Sequence, residues 1–419
     1  MRSRFVLLPL FLLISHHLSG AETKEPRVMD FRTPPHNYLD WKPRDRFAGL
    51  QEKMLKGEVK LDTSNDKAFL ASLLAAMNVP VSSQIMVFSA SSLQSEIINP
   101  RNPRALYFNE DSYIGWVPGG LVEIIAADPE MGPMFYVFNR LRPGGPVPDV
   151  QRSTKCMNCH AGNATRRLPG LIAESLLVSR AGSSLETYRR DVQGHQIPLE
   201  SRFGGWHLTG EHNLTSHKAN IMGNPQGGKN LIVPVPPGQN SDLGLHLLPT
   251  SDILPNLIHE HQMGFENRLV YAVYTLRQLK HENKGMLGGA AKAEIEERAQ
   301  ELAHYAMFAD EAKFPAKGMV GDPKFAEDFL RERKATRAGL SLRDLDMKTR
   351  IFKHRCSFML HTDSWKAAPR ELKDRVYYHM ALYLRDQPDA QHAHIPQAER
   401  LAIRSILKET MTDLPSWWR

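Results

Sequence analysis

Two cysteines separated by two residues and followed at once by a histidine, Cys156-Met157-Asn158-Cys159-His160, constrain this chain more than any other feature. By composition, such a pentamer arises by chance on the order of 10⁻³ times in 419 residues holding 3 Cys and 18 His. The spacing suits covalent attachment of haem. Two intervening residues let both thiols reach the two vinyl groups of one porphyrin, and the adjacent histidine comes under the iron as an axial ligand. A structural zinc site wants four ligands, usually as two pairs, and only Cys356 remains to help. A redox-active C-x-x-C pair has no need of the histidine. The motif predicts one covalent haem c, held by Cys156 and Cys159, with His160 on the iron.

The amino terminus predicts export. Arg2 and Arg4 precede an apolar run over 5–14, too short to span a bilayer, and Ser19-Gly20-Ala21 offers the small residues that a signal peptidase reads. Residues 1–21 are expected to form a signal peptide cleaved after Ala21, giving a periplasmic or secreted protein. No cysteine near this point offers a lipid anchor, and no later stretch is apolar for long enough to span a membrane. Covalent haem is fitted on the outer side of the bacterial inner membrane, so the two signals agree. Haem attachment uses two thiols and leaves no pair for a disulfide. The third, Cys356, reads as a buried apolar thiol in a helical stretch.

With 53 basic and 46 acidic residues the chain carries +7, and +5 once Arg2 and Arg4 are removed. No Lys/Arg stripe with interleaved aromatics is present, so nucleic acid is not an expected partner. The mild positive balance suits an acidic redox partner protein. A hydrophobic fraction of 42% with 24% charged residues excludes wholesale disorder, and the length allows two domains or one large one.

Periodicity predicts an α+β fold with a β-rich region over 22–250, which contains the haem-binding segment, and a helical region over 251–419. Residues 22–60 are Pro-rich and read as an extended arm with a short helix at 47–55. A helix at 65–78 starts from Asn65 or Ser64. Short β runs at 85–88, 105–108, 113–117, 121–126 and 134–139, separated by turn signals, predict an antiparallel meander. Further strands are expected at 171–178 and 205–209 within an irregular stretch to residue 250. Helices are expected at 252–281, 291–310, 323–336, 342–358, 369–386 and 396–412.

The second axial position of the iron decides function. Methionine raises the potential of an electron carrier, histidine lowers it, and an open position permits catalysis or ligand binding. Met222 is the first candidate, because Gly223 would allow close approach of a porphyrin. His212 and His217 follow, His207 reads as a pocket residue, and Met263 and Met134 are more remote. His259 and His261, two apart on a helix, point to different faces. His392 and His394 read as exposed loop residues. Arg166 and Arg167 are candidates to pair with haem propionates.

The pentamer resembles the attachment motif of c-type cytochromes, and Pro169 resembles the downstream proline whose carbonyl orients the proximal histidine in small members. Over most of the chain, VSSQIMVF at 81–88, NPRALYFN at 102–109 and RFGGW at 202–206 are similar to a group of exported bacterial proteins with one haem motif. That group's T-G-x-H and H-M-G-N pattern is matched by Thr209-Gly210-Glu211-His212 and by Met222-Gly223-Asn224. The second histidine is displaced here to His217, with Lys218 to Ile221 inserted. The resemblance implies haem and export, and no substrate. The expected function is an exported c-type cytochrome that transfers electrons. A peroxidase-like haem oxidoreductase is the main rival, because 398 residues (419 less 21) exceed what one haem requires. A haem-based redox or gas sensor ranks third. N-terminal sequencing of protein recovered from the periplasm of a bacterial host should start at Glu22, and a start at Met1 would remove the signal peptide.

Overall fold

The computed structural model describes residues 27–189 and 194–418; the signal peptide expected over 1–21 lies outside them. Two helices open the chain. α1 (Arg46–Leu55) begins at Asp45, whose carboxylate accepts the amides of Phe47 and Ala48. α2 (Asp66–Ala76) begins at Asn65, which accepts the Ala68 amide, so Asn65 and not Ser64 is its cap. Residues before α1 do not form a free arm: Met29, Phe31 and Tyr38 are buried in the same core as Phe47 and Phe69.

The expected meander is present and forms most of a seven-stranded antiparallel sheet. It comprises β1 (Ile85–Val87), β2 (Arg104–Phe108), β3 (Ser112–Trp116), β4 (Val122–Asp128), β5 (Gly132–Phe138) and β6 (Val150–Arg152). After the one-turn helix α3 (Met157–His160), β7 (Ser175–Val178) and β8 (Ser184–Arg189) form a hairpin. β9 (Trp206–His207) then returns to pair with β1, giving the order β6-β5-β4-β3-β2-β1-β9. β10 (Ile221–Gln226) and β11 (Lys229–Pro234) form a second hairpin.

The pleat divides the sheet's side chains between two environments. Met86, Ala105, Tyr107, Ile114, Trp116, Ile124, Met134 and Tyr136 face the core shared with α1 and α2. The alternate set runs in register across the other face, with Val87 opposite Arg104, Leu106 opposite Gly115, Gly115 opposite Glu123 and Tyr113 opposite Ile125.

That second face is covered by α4 (Ile253–Glu282), a 30-residue helix started by Asp252. Behind it lie α5 (Gly289–Ala306), α6 (Pro323–Arg331), α7 (Asp363–Ala367), α8 (Arg370–Leu384) and α9 (Gln397–Thr410). Residue 250 marks a change of secondary structure but not of core: Ile85, Val87 and Tyr113 of the sheet share one apolar cluster with α4, α5 and α8. No helix among the described residues is long and apolar enough to cross a membrane.

The stretch 342–358 is not helical. Asp344 and Asp346 take the backbone amides of Ser341 and Thr349 with their side chains, and Leu345 pairs with Phe352 in an isolated bridge. Such local bonds compete with a helix, while Phe352 and Phe358 still enter the core. Cys356 is buried and free as expected, although not on a helix. His392 is buried as well, held by Asp389 and packed on Tyr383.

Glu266 of α4 is buried, and its carboxyl accepts a hydrogen bond from the Ser364 hydroxyl at 3.3 Å. Burial raises its carboxyl to about 7, with Ser364 opposing and the Asp111 charge reinforcing the rise. Because the folded value lies above the ordinary one, its stabilisation holds below the ordinary carboxyl value and is lost as pH rises through about 7. Between pH 5 and 8 this one residue should cost the wild type roughly 2–3 kcal/mol, a loss that Glu266→Gln lacks. Urea unfolding of both proteins at the two pH values reads the difference; a gap independent of pH would refute the assignment.

Candidate functional site

α3 is a single turn closed by the His160 amide on the Cys156 carbonyl at 2.9 Å. Residues at i, i+3 and i+4 share one side of such a turn, so Cys156, Cys159 and His160 lie together. The chain then doubles back. Arg166 and Arg167 both take left-handed backbone angles, φ 54° and 61°, and the Thr165 hydroxyl donates to the His160 carbonyl. This return brings Gly170 against His160 twice: its amide donates to the His160 carbonyl at 2.9 Å, and its own carbonyl lies 2.8 Å from Nδ1. The expected orienting carbonyl therefore belongs to Gly170, one residue beyond Pro169. A carbonyl only accepts, so Nδ1 carries the proton and Nε2 keeps its lone pair.

Glycine is needed there for space. A Cβ on Gly170 would stand 2.7 Å from Thr165 Cγ2 and 2.9 Å from Asn267 Oδ1. Asn267, on α4, accepts the Leu171 amide and donates to the Leu171 carbonyl, both at 2.8 Å. The central helix thus holds the loop that holds the imidazole. Phe135 of β5 packs on the ring with centroids 4.6 Å apart. Burial pushes His160 down to about 4, the Gly170 bond opposing, so the ring is neutral at physiological pH. Nε2 has no hydrogen-bond partner among the described residues.

His160 and Cys159 line a cavity of about 650 Å³. Its floor is the second face of the sheet, through Val87, Leu106, Tyr113 and Ile125. Leu171 to Glu174 and Trp206 form one wall, tied together by the Trp206 indole donating to the Glu174 carbonyl at 2.9 Å. α4 supplies His259 and Met263 opposite the sheet. The charged pair in the lining, Arg104 and Glu123, is 2.9 Å apart and mostly buried. Gly115 makes room for it, since a Cβ there would stand 2.6 Å from Arg104 Nε. His259 packs among Phe108, Tyr113 and Trp206, and it has no hydrogen bond among the described residues. Burial pushes it down to about 3, with the Arg189 charge adding to the fall.

This donor set fits a c-type haem. Two thiols and a neutral imidazole with a free Nε2 share one side of a turn, beside a cavity of the size cofactors fill. Cys156 and Cys159 would hold the porphyrin, and His160 the iron. Among the described residues no cluster of three or more His, Cys, Asp or Glu side chains is arranged to hold a bare metal ion.

Other expected site residues stand elsewhere. Met222 is the second residue of β10, opposite Val233, and does not line the cavity. A Cβ on Gly223 would meet Leu177 Cδ2 at 3.2 Å, so this glycine serves the packing of β10 on the β7–β8 hairpin. His212 and His217 accept the Leu214 and Ala219 amides through Nδ1, as turn residues outside the cavity lining. His207 packs on Phe88 and meets Asn220, and Met134 faces the opposite core. Arg166 is taken by Glu301 and the Tyr271 ring; Arg167 is exposed.

Of the α4 residues that do reach the site, Met263 is expected from the sequence only as a more remote ligand, His259 only as one of two histidines on different faces, and Asn267 carries no sequence signal of its own. All three recur every four residues in a stretch of helical period, which places them on one face. Comparison with protein-family models, curated proteins and solved structures gives no match. Asn267→Ala removes both bonds to Leu171 and should destabilise the fold by about 1–3 kcal/mol, read by denaturant unfolding. Arg167→Ala should stay within about 0.5 kcal/mol of wild type, and equal effects of the two would contradict the role given to Asn267.

Proposed function

We propose that this chain is an exported c-type cytochrome that carries electrons, with one haem held through Cys156 and Cys159 and with His160 as proximal ligand. The observation that carries the reading is the state of His160. Its Nδ1 proton is committed to the Gly170 carbonyl, Nε2 has no hydrogen-bond partner among the described residues, and His160 lines the same cavity as Cys159. A hydrogen-bonded carbonyl on the far nitrogen is the support that a metal-bound imidazole characteristically has, since it fixes the ring and raises ligand basicity.

When bound, haem supplies a one-electron couple at the iron. The chain's part is to bind, orient and exclude water. The thiols would anchor, the Gly170–Asn267 tie orients the imidazole, and Val87, Leu106, Ile125 and Leu171 give the cavity apolar surface beside the Arg104–Glu123 pair. The balance of apolar and charged lining around a haem tunes its potential. An acidic protein is the expected redox partner, in keeping with the net positive charge.

A peroxidase-like reading has His259 in its favour, a neutral imidazole on the cavity wall whose ring makes no hydrogen bond among the described residues. The two readings separate by experiment. Protein made in a host with haem-attachment machinery should keep haem after denaturation and electrophoresis, and the double variant Cys156→Ala, Cys159→Ala should lose it. The ferrous wild type should be low-spin and inert to carbon monoxide. Haem staining that survives in the double variant would refute covalent attachment, and ready binding of carbon monoxide would replace the carrier reading with the catalytic one.

A further inference from the structure

Resting on the haem reading above, we propose that the central helix α4 supplies the second axial ligand of the iron, through the thioether of Met263. The geometry narrows the choice. The cavity that His160 borders is closed by α4, whose side chains in the lining are those of His259 and Met263. They lie one turn apart on the face that also carries Asn267.

Asn267 fixes the scale along this face. It is bonded to Leu171, next to the glycine that grips His160. Met263 lies about 6 Å along the helix axis from Asn267, and His259 about 12 Å. Both axial ligands of one iron must stand within bonding distance of a single atom. Met263 is therefore the α4 donor nearer to the proximal side, and its long unbranched side chain can adapt to reach inward.

The surroundings of the two candidates agree. An iron-bound imidazole is normally oriented by a bond from its far nitrogen, as His160 is. His259 has none among the described residues, and its ring is wedged among Phe108, Tyr113 and Trp206, with centroids 5.4, 5.6 and 6.0 Å away. A thioether needs no such support and carries no charge or proton, so Met263, 1% exposed, is buried without an unmet polar demand. Met222, held in the β10–β11 hairpin, does not line the cavity.

The test is optical and EPR spectroscopy of the full mature protein, with covalent haem staining and far-UV circular dichroism run on every sample. Wild type should be low-spin, with the far-red charge-transfer band of methionine ligation. Met263→Leu, which keeps the volume, should lose that band, turn high-spin and bind carbon monoxide when ferrous. Met263→His should return a low-spin spectrum without the band. His259→Leu and Met222→Leu should both keep the low-spin state and the methionine-ligation band. An unchanged low-spin spectrum in Met263→Leu, a high-spin wild type, or a change of ligation in His259→Leu overturns the assignment to Met263 while the haem reading stands. Absence of covalent haem from a folded wild type overturns the haem reading itself. If Met263→Leu fails to fold, the ligation band of the wild type together with the two control variants still decides between Met263, His259 and Met222.

Discussion

The contact between His160 and Gly170 is the point on which the site depends. It is short in sequence, ten residues, yet it needs three conditions met at once. The chain must reverse through two consecutive left-handed arginines, Gly170 must lack a side chain, and Asn267 must hold Leu171 from the outside. Left-handed backbone disfavours residues with a Cβ, so this loop is maintained by the tertiary bonds around it. Arg166 contributes by pairing with Glu301 of α5 and lying over the Tyr271 ring of α4. The imidazole's orientation is thus a property of the whole fold and not of the five-residue motif.

The sheet is the second constraint. Its first face is an ordinary apolar core, but its second must cover a core and also border a cavity. The strands solve this by position. Ile85 and Phe108 join the apolar cluster under α4, whereas Arg104, Gly115 and Glu123 share the cavity wall. A charged pair in such a wall loses hydration and regains it in part through mutual attraction. Glu123 also accepts a bond from the Ser92 hydroxyl, and Gly115 lets the guanidinium lie flat over β3. Substituting a larger residue at Gly115 would therefore act on the cavity's electrostatics as well as on its volume.

Much of the fold was legible because its signals are local. Alternation marked the five strands of the meander, period marked the long helices, and Asn65 marked the start of α2. The failures share a cause. At 342–358 apolar residues recur at helical spacing, but Asp344 and Asp346 offer the backbone closer partners than a helix would. β6 and the return of β9 to β1 depend on pairing with distant strands and leave little trace in three or two residues. The site divides in the same way. The thiols and His160 were evident from spacing alone. Met222 lies beside a glycine in a loop that resembles the H-M-G-N pattern, but whether a glycine faces a cofactor or a leucine is decided by tertiary packing. Leu177 and Leu185 occupy the space beside Gly223.

The composition of α4 raises a different question, since a helix this deeply buried would pack more cheaply if it were apolar. Instead it carries polar contacts on every side. Glu260 meets Arg189 at 2.6 Å and Arg202 at 3.1 Å, all three buried. His261 stands between His195 and Ser357, Gln262 reaches the Asn109 carbonyl, and Arg268 lies over the Tyr305 ring. Desolvating these groups costs free energy that hydrophobic residues would not. What they add is direction. Apolar packing tolerates a helix turned by a few tens of degrees with modest repacking, whereas hydrogen bonds and ion pairs to several different elements fail together under the same rotation. A turn of one residue would carry the 259–263–267 face off the cavity and break the hold on Leu171. The polar contacts therefore fix the rotational phase of α4, and through it both the grip on His160 and which side chains the helix presents to the opposite side of the cavity.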